Sequence, residues 1–252
     1  MAVGMTPDAR VRTAPSWLPA VFLTPLLRWL ALCHSVPPGS QWRRSCPTCE
    51  APAGFGGPPG ALLPLGRCGG CRGRVGPPAF TVEVLTLLAL AAGLLVVPLP
   101  VLPGYAWWAA FAVPLVLVDL AVHRLPDRLT LPAAAGVVLL LGVAAVPAGF
   151  DRWWRAVLAG LAVALFFAST TVVLGRRGFG LGDAKLALSC AALLGWFGWG
   201  YVLLGLMAGL VASALVSIAL LIAGRVRWSS KLPFGPFLIA GTVVALLVVP
   251  GS

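Results

Sequence analysis

The chain has 252 residues, of which 60% are hydrophobic and only 10% are charged, and its mean hydropathy is +0.97. Soluble domains carry about 25% charged residues, so this composition excludes a soluble globular domain and indicates an integral membrane protein. The 18 Lys and Arg residues outnumber the seven acids and give a formal net charge of +11. Basic loops on one face of a membrane explain this excess. No basic stretch is interleaved with exposed aromatics, so nucleic acid is not an expected partner.

Apolar runs predict seven or eight membrane spans, because a helix needs about 20 mostly apolar residues to cross the hydrocarbon core. The uncharged run 84–118 is too long for one helix and is divided by Pro98, Pro100 and Gly104. The run 186–224 is divided by the glycine-rich segment 195–200. Single spans are predicted over 129–150, 156–174 and 234–250. The predicted fold class is therefore an all-α polytopic membrane protein.

The segment 16–33 is also apolar, but it contains Arg28. Three interpretations are open: a span whose arginine extends to the interface, an interfacial helix, or an uncleaved signal-like segment. If it does not cross the membrane, only the N-terminus changes side.

The charged residues between the spans predict the orientation of the chain. With eight alternating spans, thirteen Lys and Arg residues fall on one side and four on the other. Cytoplasmic loops of membrane proteins are enriched in Lys and Arg. The more basic side is therefore predicted to be cytoplasmic, with loops around 34–80, 124–128, 175–183 and 225–233.

Residues 34–80 form a long stretch without a predicted span, and they contain a C-x2-C-x18-C-x2-C pattern. Its cysteines are Cys46, Cys49, Cys68 and Cys71. Two tight turns that each present two thiolates can complete a tetrahedral zinc site. Two disulfides, or thiols without a role, are the alternatives, but a reducing cytoplasmic location favours structural zinc. Cys33 and Cys190 lie in apolar surroundings and are predicted to be small core residues.

Two aspartates are predicted to lie at the same membrane face. Asp119 ends an otherwise uncharged helix, and Asp183 begins another. Ionisable residues at membrane depth are costly and usually mark a functional site. Two close carboxylates do not both ionise easily, which provides an acid and a base for activating water against a peptide bond.

A purely structural role is the alternative for each aspartate near these helix ends. Asp183 could cap the N-terminus of the following helix, and Asp127 is predicted to cap the helix that begins at Leu129. Gly180 and Gly182, which have no side chains, would let the backbone approach a substrate beside Asp183.

Four motifs, in order along residues 36–250, resemble the type IV prepilin peptidases, a family of G-x-G-D membrane aspartyl proteases. The first two are the paired cysteines followed by Glu83, and Asp119 placed eight residues before the Asp of Leu125-Pro126-Asp127. The other two are Gly180-Leu-Gly-Asp183-Ala-Lys185, which resembles G-x-G-D-x-K, and Lys231-Leu-Pro-Phe-Gly-Pro-Phe237, which resembles P-F-G-P-F. A lone G-x-G-D would be weak evidence, but four ordered motifs are specific.

The resemblance implies a role for each of these residues. Asp119 and Asp183 would be the catalytic aspartates, Gly180, Gly182 and Lys185 would lie near the substrate, and the four paired cysteines would bind zinc. The family removes the basic leader from prepilins, or from pseudopilins of type II secretion, at the cytoplasmic face of the bacterial cytoplasmic membrane. Membrane lipids would surround the multi-pass chain, and the oligomeric state is left open.

Many long members of the family also methylate the new N-terminus with S-adenosylmethionine. This chain departs from them before Cys46, where it lacks the Gly-Ser-Phe-Leu-Asn segment and the following Arg-Leu-Pro. The acids nearest to that segment in the sequence are Asp8 and Glu50. We therefore expect proteolysis with weak or absent methylation.

The expected organisation is an N-terminal segment over 1–33, a four-cysteine zinc-binding loop over 34–80 and a transmembrane peptidase domain over 81–252. Two other classes of protein are open. A catalytically silent membrane scaffold would use the zinc loop for docking. An ion-coupled transporter would use the two aspartates as ion sites, although such sites normally lie near the bilayer midplane.

Overall fold

The computed structural model describes residues 18–37, 39–175, 179–227 and 232–248. These residues form eight α-helices, and the structure within them includes no strand, only two isolated antiparallel bridges in the loop after the first helix. The helices are α1 Leu18–His34, α2 Thr81–Val96, α3 Leu102–Val122, α4 Asp127–Ala148, α5 Asp151–Leu174, α6 Leu181–Phe197, α7 Trp199–Ile222 and α8 Gly235–Val248. The predicted all-α fold is confirmed.

Both double-length apolar runs break where the sequence predicts. In the first run, α2 ends just before Pro98 and α3 begins at Leu102. Between α6 and α7 the single residue Gly198 has a φ of +144°, a conformation that side chains rarely adopt. One glycine is therefore enough to separate two long helices.

Within the described residues, four helices are long and apolar enough to cross a membrane: α3, α4, α5 and α7. Helices α2 and α8 are apolar but shorter. The chain is therefore an integral membrane protein with several spans, and crossing by the other helices stays a prediction.

Helix α6 lies at the centre of the bundle. Its side chains are buried almost all round, which is typical of a helix that is apolar on every face. Small residues bring its neighbour α5 close: a Cβ added at Gly195 would lie 3.0 Å from the Cα of Ala156. The outer faces of α5 and α7 expose large apolar side chains such as Leu165, Val172 and Leu215, as expected for contact with lipid.

Arg155 caps the C-terminal end of α6. Its Nε donates to the carbonyl oxygen of Gly195 at 2.9 Å, and its Nη2 donates to that of Trp196 at 2.7 Å. These bonds satisfy carbonyls that a helix end leaves unpaired. They also place the start of α5 and the end of α6 at one end of the bundle, opposite the end where α5 finishes and α6 begins.

Arg28, in the segment 16–33 whose crossing of the membrane stays a prediction, is packed inside the protein. Its side chain is fully buried, and its Nη2 forms an ion pair with Glu83 Oε2 of α2 at 2.9 Å. The same guanidinium donates to the carbonyl oxygens of Pro64 and Pro77, both at 3.1 Å. The arginine therefore joins α1, α2 and the loop between them.

The loop packs on the C-terminal part of α1. Leu32 of α1 belongs to a small buried cluster with Cys46, Cys68 and Val75 of the loop. At the other side of the loop, the guanidinium carbon of Arg128 lies 4.3 Å from the ring centroid of Trp42. Since Arg128 is in the first turn of α4, the loop lies at the bundle end where α4 begins.

Candidate active site and metal centre

A cavity of about 1030 Å³ opens at the bundle end where α3 and α5 finish and α6 and α8 begin. Both Asp119 and Asp183 line it. The rest of the wall combines apolar side chains with hydroxyl, imidazole and guanidinium groups, including those of Ser213, Ser217, Thr170, His123, Arg124 and Arg227. The structure thus brings together the two aspartates that the sequence places 64 positions apart.

Asp119 is buried in the last turn of α3. The helix stops at His123, whose left-handed backbone (φ 52°) directs its N–H to the carbonyl oxygen of Asp119 at 2.8 Å. The carboxylate Oδ2 accepts the backbone N–H of Gly235, the first residue of α8, at 3.0 Å. Helix α8 therefore orients the Asp119 side chain.

Asp183 is the third residue of α6 and is partly buried. Its Oδ2 accepts the N–H of Gly180, which precedes the helix, at 3.0 Å. This is the reciprocal bond of a capping box, so the helix-end role that the sequence left open does occur. It coexists with the position of Asp183 on the cavity wall.

Gly235 is the residue whose contribution sequence reasoning missed. It belongs to the recognised Pro-Phe-Gly-Pro-Phe motif, but the sequence did not show that its N–H reaches Asp119. A Cβ at this position would lie only 2.7 Å from Asp119 Oδ2. The glycine is therefore required by close approach of backbone to carboxylate.

Gly182 serves packing as well as the cavity wall. A Cβ there would lie 3.0 Å from the Cβ of Leu125, in the segment that joins α3 to α4. Gly180 and Gly182 both line the cavity, and their contact with a substrate stays a prediction. The second glycine additionally lets the first turn of α6 approach Leu125.

The predicted helix cap at Asp127 is wrong. Pro126 occupies the N-cap position of α4, and no side-chain capping bond forms there. Asp127 is instead the first helical residue, and its Oδ1 pairs with Lys185 Nζ at 2.7 Å. A proline before the helix already sets the extended backbone that a cap requires, and the carboxylate is left for the lysine.

Three phenylalanines support the cavity wall behind the aspartates. The ring centroids of Phe167 and Phe179 are 4.4 Å apart, and those of Phe179 and Phe234 are 5.0 Å apart. Thr171 Oγ1 also donates to the carbonyl oxygen of Phe179. These contacts tie the end of α5 to the segments that lead into α6 and α8.

The four paired cysteines meet in the loop. Their sulfur atoms all lie within 4.8 Å of one another, with Cys46–Cys71 at 3.7 Å and Cys49–Cys68 at 3.6 Å. All four are free thiols, so the disulfide alternative is wrong. A zinc ion bonded to four sulfurs at about 2.3 Å spaces them roughly 3.8 Å apart. The donor set and its spacing therefore fit a tetrahedral metal site.

Backbone N–H groups surround these sulfurs. The N–H groups of Thr48 and Cys49 lower the pKa of Cys46 to about 6, and the N–H of Ala51 lowers the pKa of Cys49. The N–H of Gly70 also points at Cys68 Sγ, 3.4 Å away. The first C-x2-C turn thus provides N–H donors that stabilise its thiolates.

Cys33 and Cys190 are both 1% exposed and lie outside the four-cysteine cluster. Their prediction as small core residues is confirmed.

The fold and the cavity define a polytopic membrane protein with two carboxylates at one end of its helix bundle. The sequence profile of the type IV leader peptidase family matches residues 104–224. A prepilin leader peptidase/N-methyltransferase of Aeromonas salmonicida (strain A449) is 34% identical over 221 residues, which cover 81% of this chain and 71% of the relative. The chain belongs to the type IV leader peptidase family and is a membrane peptidase.

Other relatives match over a shorter part of their length. The prepilin leader peptidase/N-methyltransferase of Burkholderia pseudomallei (strain K96243) is 34% identical over 188 residues, 72% of this chain and 58% of the relative. The protein of the same name from Pseudomonas aeruginosa is 30% identical over 202 residues, 72% of this chain and 62% of the relative. No solved structure gives a significant match.

Proposed function

We propose that this chain is an aspartyl endopeptidase that removes the leader peptide from type IV prepilins or pseudopilins. One observation carries the proposal: Asp119 and Asp183 line the same cavity, and each has one carboxylate oxygen held by a glycine N–H at 3.0 Å. The names of the relatives, prepilin leader peptidases, supply the substrate class.

The two carboxylates would act as a pair. One takes a proton from a water molecule, whose oxygen attacks the carbonyl carbon of the scissile peptide bond. The other, protonated, donates its proton to the carbonyl oxygen as the tetrahedral intermediate forms. Collapse of the intermediate breaks the C–N bond, and a proton passes to the leaving amine. The bonds from Gly180 and Gly235 keep one oxygen of each carboxylate fixed and leave the other for water.

We further propose that the cavity faces the cytoplasm. The support is the charge asymmetry of the loops together with the contact between Trp42 and Arg128, which brings the loop to the start of α4. Asp119 lies in the last turn of the preceding helix, α3. The organisation proposed from the sequence has three parts: an N-terminal segment over 1–33, a loop over 34–80 and a peptidase domain over 81–252. The loop then lies at the same face as the cavity of the peptidase domain.

Zinc is proposed as the metal of the four-cysteine site, where it would hold the loop together. Four thiolates leave no coordination position for a reacting water. The described residues that line the aspartate cavity include none of these cysteines. The zinc would therefore be structural.

Methylation of the new N-terminus is a separate question, because the relatives' names include N-methyltransferase. We keep the proposal that it is weak here, because the segment before Cys46 departs from the family pattern. The acids nearest to this segment in the sequence are Asp8 and Glu50, but the packed structure also brings Glu83 into contact with Arg28 of α1.

The test is cleavage of a model prepilin by the purified protein in lipid, followed on gels and by mass spectrometry. Asp119→Asn and Asp183→Asn preserve shape and remove the acid–base pair, so leader removal should fall to background. Asp151→Asn, an exposed aspartate in the first turn of α5, is the matched control and should cleave normally.

Cleavage by either active-site variant at the rate of the control would contradict the aspartyl mechanism. The mass of the processed N-terminus also shows, in the same sample, whether it is methylated. An unmodified mature N-terminus is expected, and a uniform gain of one methyl group would show that the divergent N-terminal segment still supports methyl transfer.

A further inference from the structure

A second cavity, of about 440 Å³, lies between the loop and the start of α4. It is lined by Ser40, Gln41, Trp42 and Arg44 of the loop and by Arg128 of α4. Two guanidinium groups therefore face one small space, and the described residues that line it include no carboxylate. Such a cavity selects for an anion.

The cationic wall is held in place by an aromatic stack. The Arg128 guanidinium lies 4.3 Å from the centroid of the Trp42 ring, a cation–π arrangement. The Trp42 ring in turn packs against the ring of buried His34, with centroids 5.2 Å apart. His34 Nδ1 lies 2.9 Å from the carbonyl oxygen of Leu30 in α1. The Trp42 ring therefore packs between α1 and α4, and the exposed Arg128 guanidinium stacks on it.

The position of the cavity at the start of α4 corresponds to the headgroup level of a bilayer that this helix would span. Helix α4 is a membrane span by length and composition from Asp127 to Pro147, and Arg128 is its second residue. Trp and Arg side chains are frequent at this depth of a bilayer. Basic pockets between transmembrane helices are known binding sites for anionic headgroups.

We propose that this cavity binds the phosphodiester headgroup of an anionic phospholipid. Arg44 and Arg128 supply charge-assisted hydrogen bonds to the phosphate oxygens. Ser40 and Gln41 supply neutral donors to the remainder of the headgroup. One lipid bound in this way bridges the loop to α4, and it does so independently of the peptidase reaction.

The test is native mass spectrometry of the full chain in detergent, titrated with phosphatidylglycerol or phosphatidylcholine. Phosphatidylglycerol should bind preferentially, and Arg44→Gln or Arg128→Gln should each weaken it by about fivefold. Arg152→Gln is the matched control: Asp151-Arg152 begins α5 as Asp127-Arg128 begins α4, and both arginines are exposed. The control should bind phosphatidylglycerol like the wild type.

Competition experiments distinguish a bound lipid from a small soluble anion. Inorganic phosphate at millimolar concentration should not displace the lipid, because the phosphate ion alone lacks the acyl chains that hold the lipid in the detergent micelle. Equal binding of both lipids, or equal weakening by Arg152→Gln, would overturn the proposal. Complete displacement by inorganic phosphate, or by S-adenosylmethionine, would also overturn it and assign the cavity to that ligand. Thermal unfolding of each variant without lipid verifies that it is folded.

Discussion

At the scale of single residues, the most constrained contact is the bond between Gly235 and Asp119. The glycine N–H lies 3.0 Å from Asp119 Oδ2, and a Cβ on the glycine would lie 2.7 Å from the same oxygen and 3.4 Å from Leu125 Cδ2. Any side chain at this position must displace either the carboxylate or the start of α8. The alignment of Asp119 therefore depends on a residue that carries no chemistry of its own.

Gly235→Ala should accordingly lower the rate of leader cleavage by about tenfold to a hundredfold, because a small misplacement of a reacting group is costly. Gly200→Ala is the control, since nothing lies within 4 Å of a Cβ at Gly200. The comparison is made by initial cleavage rates at equal protein concentration. Normal cleavage by Gly235→Ala would show that Asp119 does not need this bond.

Arg28, like Gly235, has a role that becomes clear only from the groups it contacts. The two terminal nitrogens of its buried guanidinium bind Glu83 and the carbonyl oxygens of Pro64 and Pro77 in the loop. An arginine at this depth is tolerated because the charge is paired.

Arg28→Gln leaves the partly buried Glu83 carboxylate without its partner, which is expected to cost about 3–5 kcal/mol. Thermal unfolding in detergent and proteolysis of the loop would measure the loss. Exposed Arg74, also in the loop, is the control, and Arg74→Gln should change stability by less than about 0.5 kcal/mol. The double variant Arg28→Gln/Glu83→Gln should lose less than the two single losses combined, and strict additivity would argue against the ion pair.

At the scale of helices, α7 and α8 approach each other through glycines. A Cβ at Gly241 of α8 would lie 2.2 Å from the carbonyl oxygen of Gly205 and 2.7 Å from the nitrogen of Gly209, both in α7. Small residues that allow such close backbone contact are the usual basis of helix association in membranes.

Gly241→Ala should therefore force α7 and α8 apart and destabilise the bundle by about 1–3 kcal/mol. Gly200→Ala, in the open first turn of α7, makes the same chemical change without a clash and is expected to keep or raise stability. Unfolding temperatures of the purified proteins test this. A Gly241→Ala protein as stable as Gly200→Ala would contradict the packing.

The loop between α1 and α2 is the element that zinc is proposed to hold together. Purified protein should contain about one zinc ion per chain, and Cys49→Ser should lose the metal and make the loop sensitive to proteases. Cys33→Ala, at a buried cysteine outside the cluster, is the control and should retain both metal and protection. Metal-free protein with an intact, protease-resistant loop would be evidence against the zinc site.

At the scale of the whole molecule, the alternation of helices predicts which ends face the cytoplasm. The aspartate cavity, the loop and the segment after α7 are proposed to lie inside, whereas the start of α5 is proposed to lie outside. Arg225 and Arg152 represent the two sides.

A cysteine introduced at Arg152 should react with an impermeant thiol reagent in intact cells. A cysteine at Arg225 should react only after lysis. The wild type is the control, because its own cysteines are buried or proposed to be cytoplasmic and metal-bound. Labelling at Arg225 before lysis would reverse the proposed orientation.

Sequence alone determined the positions of the helices, because those depend on local properties. Apolar runs of sufficient length, interrupted by Pro98 or by Gly198, define where helices begin and end whatever their neighbours are. The spacing of the four cysteines likewise indicates a metal site, because each pair occupies a single turn of the chain. The two aspartates stand out because charges are rare in such apolar segments.

Tertiary structure alone decided the partners of these groups. Gly235 is 116 positions from Asp119, Lys185 is 58 from Asp127, and Glu83 is 55 from Arg28. No local pattern connects such residues, since their distances depend on how the helices pack. For the same reason the sequence assigned Asp127 to a helix cap and did not reveal the partner of Arg28. A charged side chain takes the partner that the packed bundle brings within hydrogen-bonding distance.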